Sequence, residues 1–214
     1  MAERTFSPLD RLICAADETL KVLYGHQSGT NRPDPAAEIV EGDLTSAERN
    51  LSARLMRVNH VGEICAQALY QSQALTSRSD RVRHTLTLAA LEEQDHLRWC
   101  ENRINSLGGR KSLLNPVWYL GSFTIGLAAG FAGDRTNLSF LRETEKQVES
   151  HLHSHLDRLP KNDLASRAVV DAMKEDEKQH GETAHRAGAS ELPLPIKSLM
   201  RLASRVMTGT AHWI

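Results

Sequence analysis

Two copies of a Glu-x-x-His motif are the part of this 214-residue chain best suited to chemistry. The first runs from Glu93 to His96 and the second from Glu177 to His180. On an α-helix, residues three apart lie on the same face, one turn from each other. A carboxylate and an imidazole at this spacing can bind one metal ion. One such motif is common by chance in helical proteins, and two of them are stronger evidence for a metal site.

A further glutamate precedes each motif at nearly the same distance. Glu63 lies 30 residues before Glu93, and Glu145 lies 32 residues before Glu177. This order, a single glutamate and then a Glu-x-x-His motif, used twice, is the ligand pattern of di-iron carboxylate bundles. The neighbours of Glu63 are mostly apolar, and an unpaired carboxylate is costly to bury. We therefore predict a two-metal site with bridging carboxylates, Glu145 among them.

Spacing alone leaves several acids open as alternative ligands. Glu92 lies four residues before His96 and could replace Glu93 by geometry. The alternatives to Glu145 are Glu143 and Glu149. The matched spacing of the two halves favours Glu93 and Glu145.

The ligand histidines need outer partners that fix their tautomers. Asp176, directly before Glu177, is our hypothesis for one such partner. His151 and His155 share a helix face and are further candidates for outer positions. The remaining open histidines are His84, His153 and His185.

The ligand types indicate which metal binds. Four carboxylates and two imidazoles without a thiolate suit iron or manganese and argue against structural zinc. Two bridged ferrous ions can bind dioxygen together and supply a two-electron oxidant. We predict two iron ions per chain and dioxygen as the co-substrate.

The elements that position these residues are all predicted to be helices in a single domain, residues 1–214. Ser7 and Pro8 begin a first helix that ends near Tyr24. A capping box at Thr45–Glu48 begins the second, whose inner stripe is Leu51, Leu55, Val58 and Gly62. The predicted core helices span about 45–76, 79–107, 134–159 and 163–187.

Two segments outside this core favour contact with a membrane. Residues 113–132 carry no charge but contain a proline and several glycines, and Trp118 and Tyr119 suit a membrane interface. A buried connecting helix is the alternative for this insert. The tail, about 195–208, is predicted to be a basic amphipathic helix on an anionic lipid surface or a plain surface helix. Its predicted apolar face comprises Ile196, Leu199, Met200, Ala203, Val206 and Met207, and its basic face Lys197, Arg201 and Arg205.

Composition excludes some classes of protein. The net charge is −1 with 25% charged residues, which argues against nucleic-acid binding. The three cysteines are Cys14, Cys65 and Cys100; their odd number and spacing predict buried free thiols in a reducing compartment. The N-terminal segment has no long apolar run and several acids, so we expect neither a secretory signal nor a transit peptide.

Four segments around the candidate ligands resemble the bacterial form of the demethoxyubiquinone hydroxylase family. They read RVNHVGEICAQALYQSQ, ALEEQDHL, KQVESHLHSHL and KEDEKQHGETA. The resemblance covers about residue 45 to the end, including the apolar insert. It implies a ferritin-like four-helix bundle with an outer histidine at His151. Eukaryotic members carry a tyrosine directly after this histidine, whereas this chain has Leu152 there. The implied metal ligands are Glu63, Glu93, His96, Glu145, Glu177 and His180.

The resemblance also implies a reaction and a place for it. Dioxygen hydroxylates the ring of a polyprenylated demethoxyubiquinol late in ubiquinone biosynthesis, and the second oxygen atom leaves as water. The two electrons are supplied either by NADH through the quinone substrate itself or by a separate reductase. The implied setting is peripheral, on the cytoplasmic face of the bacterial inner membrane. A ubiquinone-biosynthesis complex and a homo-oligomer are the implied partners.

Three other functions compete with this one. A ferritin-like iron or peroxide protein shares the ligand pattern, but it would not need an apolar insert. A non-catalytic membrane adaptor that binds quinone would use the metal only as structure. A di-iron desaturase or acyl hydroxylase is generally a longer chain.

Overall fold

The computed structural model describes residues 7–25 and 29–214, and within that part of the chain all regular structure is helical. The all-α prediction is thus confirmed. The helices are α1 (Pro8–Tyr24), α2 (Ser46–Thr76), α3 (Asp80–Ser106), α4 (Asn115–Phe131), α5 (Asp134–Arg158), α6 (Leu164–Arg186) and α7 (Leu194–Ala211).

The helix ends follow local capping chemistry. Thr45 accepts a hydrogen bond from the backbone N–H of Glu48, and the Glu48 carboxylate accepts one from the N–H of Thr45, as the capping box predicts. Ser7 and Asp10 make the same reciprocal pair at α1. Gly108 ends α3 in the left-handed region at φ 68°, and the next N–H donates to the carbonyl of Ile104.

Helices α2, α3, α5 and α6 form a bundle with two apolar layers, consistent with a ferritin-like fold. All four contribute to each layer. One layer contains Leu55, Trp99, Leu152 and Met173. The other contains Tyr70, Leu86, Leu141 and Ala184. Along each helix, the candidate ligands fall between the residues of these two layers, so apolar packing encloses the site on both sides.

Helix α2 is buried around most of its circumference rather than along one stripe. Leu55 and Val58 face the core as predicted, but Leu51 and Gly62 are only partly buried. On the other sides of α2, Ile64 packs with residues of α1 and α4, and Val61 packs with residues of α4 and α7. The predicted stripe was too narrow because three further helices cover α2.

Helix α4, the apolar insert, packs one face on α2 and leaves the other exposed. Its alternative as a fully buried connecting helix is therefore wrong. The buried face carries Tyr119, Gly126 and Gly130, and the exposed face carries Val117, Leu120, Ile125 and Phe131. No helix of the described residues is long and apolar enough to cross a membrane.

Helix α7 also differs from its predicted faces. Leu199, Leu202 and Val206 form an exposed apolar stripe along α7. Met200 and Met207, which were predicted to share the apolar face, are partly buried. Lys197 is ion-paired with Glu143 and Glu191, because it lies on the side of α7 that faces the bundle. Of the predicted basic face, Arg201 and Arg205 remain exposed.

The cysteines are free thiols, but they are not all buried as predicted. Cys100 lies in the core and Cys65 is partly buried. Cys14 is exposed, because it lies on the outer face of α1.

Glycines let α4 approach α2 closely. A Cβ atom on Gly126 would lie 2.7 Å from the carbonyl oxygen of Leu69 and would overlap Ser72. A Cβ atom on Gly130 would overlap the side chain of Thr76. Gly121, on the exposed side of the same helix, has open space around it.

We therefore expect Gly126→Ala and Gly121→Ala to have opposite effects on stability. Each gains about 1 kcal/mol of helix propensity, but overpacking at Gly126 costs about 1–3 kcal/mol. Thermal or urea unfolding should place Gly126→Ala below the wild type and Gly121→Ala at or above it. Equal stability of the two variants would contradict the close α2–α4 contact.

Candidate metal centre

Six buried side chains from four helices form two overlapping groups of potential ligands. Within each group, all ligand atoms lie within 4.8 Å of one another. One group is Glu63, Glu93, His96 and Glu177; the other is Glu93, Glu145, Glu177 and His180. The six residues predicted from the sequence are thus the six that the fold brings together.

Glu93 and Glu177 belong to both groups, so they are the carboxylates placed to bridge two ions. Glu63 and Glu145 each belong to one group. Glu145 was expected to bridge, but membership of both groups favours Glu93 and Glu177 for that role. The reason is that α3 and α6 pack against each other, so the glutamates of their two motifs meet between the groups.

The centre contains more buried negative charge than its two histidines can balance. Burial raises the pKa of Glu63 and Glu145 well above the usual range, and the charge of the neighbouring shared glutamates adds to the effect. Burial also opposes ionisation of Glu93, but the nearby His96 and His180 hold its pKa below the usual range. Two imidazoles alone cannot balance four buried carboxylates.

Unpartnered polar atoms show that the residues fit a pair of metal ions. Oε1 of Glu93, Oε2 of Glu177 and Nδ1 of His180 are buried and form no hydrogen bond of acceptable geometry within the described structure, although Nδ1 of His180 and Oε1 of Glu93 lie 3.1 Å apart. Such atoms are rare in protein interiors unless something else binds them. Two divalent cations would bind these atoms and balance the four carboxylates while leaving both imidazoles neutral.

Both histidines turn Nδ1 toward the centre and Nε2 away from it. Nδ1 of His96 lies 2.7 Å from Oε2 of Glu93, and Nδ1 of His180 lies 3.1 Å from Oε1 of the same residue. With the proton on Nε2, each Nδ1 has a free lone pair for a metal ion.

Each outward Nε2 meets a carboxylate from the opposite motif. Nε2 of His96 lies 2.8 Å from Oδ2 of Asp176, the outer partner that the sequence suggested. Nε2 of His180 lies 2.5 Å from Oε2 of Glu92. Glu92 was an alternative to Glu93 in the sequence, and the fold gives it this outer position. In each motif, the acid directly before the shared glutamate orients the histidine of the other motif. Because Asp176 and Glu92 occupy the same place in the two motifs, this repeat could have identified Glu92 from the sequence.

Two further residues around the centre were missed. Tyr70 donates a hydrogen bond to Oε1 of Glu145 at 2.6 Å. It follows Glu63 by seven residues, which places both on one face of α2, so helical spacing could have found it. Arg32 makes two hydrogen bonds to Asp176, at 2.6 and 3.2 Å. It lies in the loop before α2, where no periodic pattern pointed to it.

The structure does not bring His151 to the two ligand groups. Its ring contacts that of His155, with centroids 4.0 Å apart, and its Nε2 is buried with no hydrogen-bond partner in the described structure. Of the alternative acids, Glu143 accepts from Gln147 and Glu149 borders a surface groove. The other candidates, His84, His153 and His185, are exposed.

We expect Asp176→Asn to weaken metal binding by roughly 10–100-fold, because outer partners of ligand histidines contribute about that much. The change removes the charge that pairs with Arg32 and holds His96. Competition with a chromophoric chelator would measure the affinity. Asp171→Asn on the same helix is the control, since Asp171 is exposed and forms an ion pair with Lys174. Equal affinity of both variants would contradict the role of Asp176.

Comparison with known proteins identifies the family. The profile described as "Ubiquinone biosynthesis protein COQ7" matches residues 50–211. Proteins named 3-demethoxyubiquinol 3-hydroxylase are 54% identical over 206 residues in Nitrosomonas europaea and 56% identical over 206 residues in Nitrosospira multiformis. Each alignment covers 96% of this chain and 99% of the relative. The relative of that name from Nitrosococcus oceani is 51% identical over 214 residues, 100% of both chains. The chain belongs to the COQ7 family of ubiquinone biosynthesis proteins.

Proposed function

We propose that this chain is a di-iron 3-demethoxyubiquinol 3-hydroxylase. The observation that carries the proposal is the pair of overlapping ligand groups that share Glu93 and Glu177. Relatives with the hydroxylase name align over nearly the whole chain and supply the substrate class. In the reaction, a ring C–H bond becomes C–OH, and the second atom of dioxygen takes two electrons and two protons and leaves as water.

Iron suits the ligand set, which has hard and borderline donors and no thiolate. Two iron ions bound there would supply the redox chemistry that lets dioxygen react with the ring. Glu93 and Glu177 would hold both ions, while Glu63 with His96 and Glu145 with His180 would each hold one. We propose NADH as the source of the two electrons, delivered through the quinone or through a separate reductase.

The other residues position the ligands and keep water out. Asp176 and Glu92 accept the Nε2 protons of the two histidines and so direct Nδ1 inward. The hydroxyl of Tyr70 donates a hydrogen bond to Oε1 of Glu145. This hydrogen bond fixes the rotamer of the carboxylate. The apolar layers on either side exclude water, which strengthens the electrostatic interactions within the centre.

The proposed substrate requires contact with a membrane, because each CH₂ group of a polyprenyl tail contributes about 0.8 kcal/mol to staying in the bilayer. Helices α4 and α7 supply exposed apolar side chains, including Leu120 and Phe131 on α4 and Leu199 and Leu202 on α7. Trp118 of α4 and Met207 of α7 pack against the same buried cluster, which includes Val58 and Val61 of α2. We propose that these faces lie on the cytoplasmic surface of the bacterial inner membrane, with Arg201 and Arg205 toward anionic headgroups.

The function is tested by deleting the gene and measuring quinones in the cell. Loss of ubiquinone and accumulation of a demethoxy precursor are expected, with rescue by the wild type. Glu93→Ala should fail to rescue and should bind fewer than the roughly two irons expected of this centre. Glu101→Ala, a partly exposed position on the same helix, is the matched control and should rescue.

Other outcomes would point to the competing functions. Two irons per chain with normal ubiquinone after deletion would refute the substrate. Bound quinol without quinol-dependent oxygen consumption would indicate a non-catalytic adaptor. Peroxide consumption without quinol would favour a peroxide scavenger.

The membrane face is tested with point variants, because Arg57 of α2 hydrogen-bonds the carbonyls of Ala211 and His212, so deleting the tail would disturb the bundle. We expect Leu202→Glu to weaken binding to anionic liposomes by roughly tenfold or more, since a buried leucine contributes about 1.5–3 kcal/mol. Leu88→Glu, an exposed leucine on α3, is the control and should bind normally. Equal binding by both variants in cosedimentation would contradict the α7 face.

A further inference from the structure

The two ends of the metal centre differ in their exposure to solvent. His96 is 0% exposed and His180 is 9% exposed. The difference is larger at their outer partners, whose side chains are 13% exposed for Asp176 and 41% for Glu92. A hydrogen bond to an exposed carboxylate is screened and weakened by water, whereas one in a drier environment is not. His180 is therefore less firmly held than His96.

A loop from outside the bundle closes the His96 end. Arg32 makes two hydrogen bonds to Asp176 and lies over the ring of Trp99, 5.0 Å from its centroid. The same ring lies 5.3 Å from that of His96. The loop is itself anchored, because Arg98 donates to the carbonyl of Arg32 at 2.6 Å. Any opening at His96 would have to displace this packed arrangement.

A surface groove of about 190 Å³ runs between α5 and α6 beside the other end. Gly181 lines it, and a Cβ atom there would lie 3.6 Å from Cβ of Glu145. Glu177 also lines the groove, although it is only 2% exposed, and its Oε2 is buried without a hydrogen-bond partner in the described structure. The remaining lining residues are Arg142, Lys146, Glu149, Lys178, Glu182 and His185. The groove thus reaches the part of α6 around Glu177, on the side of the centre next to Glu145.

We propose that the two metal positions are unequal: the position of Glu145 and His180 exchanges its ion with solvent through the α5–α6 groove, while that of Glu63 and His96 retains its ion. This inference rests on the two-metal centre proposed above. Exchange requires one ligand at a time to leave the ion, and His180, with its exposed partner, is the ligand least restrained. Glu149 and Glu182 offer carboxylates in the groove to an ion on its way in or out.

The first test follows metal release. Protein loaded anaerobically with Fe²⁺ is mixed with excess chromophoric chelator, and we expect two phases of one ion each. Glu145→Ala should lose the fast phase and keep the slow one, and Glu63→Ala should do the opposite. A single phase for both ions, or the reverse assignment, would overturn the inference and leave the two-metal centre intact. Wild-type protein that binds no second ion would overturn the centre itself.

The second test uses surface variants that do not depend on removing a ligand. Glu182→Lys places a positive charge in the groove and should slow refilling of the exchangeable position by roughly threefold or more at low salt. Asp171→Lys, an exposed position on the same helix outside the groove residues, carries the same charge change and should refill at the wild-type rate. Stopped-flow measurement of Fe²⁺ binding gives both rates. Equal slowing in both variants, or none in either, would overturn the groove as the route.

Discussion

Four carboxylates buried side by side in a helical core are the constraint on which the rest of the structure depends. Glu63, Glu93, Glu145 and Glu177 are each at most 2% exposed, and their mutual repulsion would favour unfolding or proton uptake unless cations balanced it. The fold brings two histidines and several unpartnered ligand atoms to the same place. A pair of divalent ions would balance the charges and bind these atoms together, so metal binding and stability are coupled at this centre.

The internal repeat orients both ligand histidines with the same arrangement of residues in each half. Each half supplies a shared glutamate, a histidine one turn later and an acid directly before the glutamate. Because α3 and α6 face each other, the acid of one half reaches the histidine of the other, as Asp176 does for His96 and Glu92 does for His180. The halves therefore depend on each other for the tautomer of their ligand, and neither motif could form this site alone.

The symmetry ends outside the bundle core. Arg32 and its loop cover one end of the centre, whereas a polar groove borders the other. The apolar faces of α4 and α7 form a separate exposed surface, which we propose for the lipid substrate. A centre with the proposed function would need distinct approaches for a polyprenyl quinol, dioxygen and iron, and the chain has surfaces of different polarity to provide them.

The sequence by itself determined the helices, the capping boxes of α1 and α2 and the repeated pattern of candidate ligands, because these follow from short-range spacing. Residues three apart meet on a helix face, and the repeated interval of about 30 residues matches one helix and its return. Neighbouring acids such as Glu92 and Glu93 could not be separated in this way, since one residue turns a side chain by about 100° and only the position of the opposing helix decides which one points inward.

Tertiary structure alone decided which carboxylates belong to both ligand groups, that Arg32 braces Asp176, and that the His151 ring packs against the His155 ring. It also decided that α2 is covered on several sides and that Lys197 faces the bundle. These features depend on contacts between residues far apart in the chain. Hydrophobic periodicity shows that a helix has a face to bury, but it does not show which helix will cover that face.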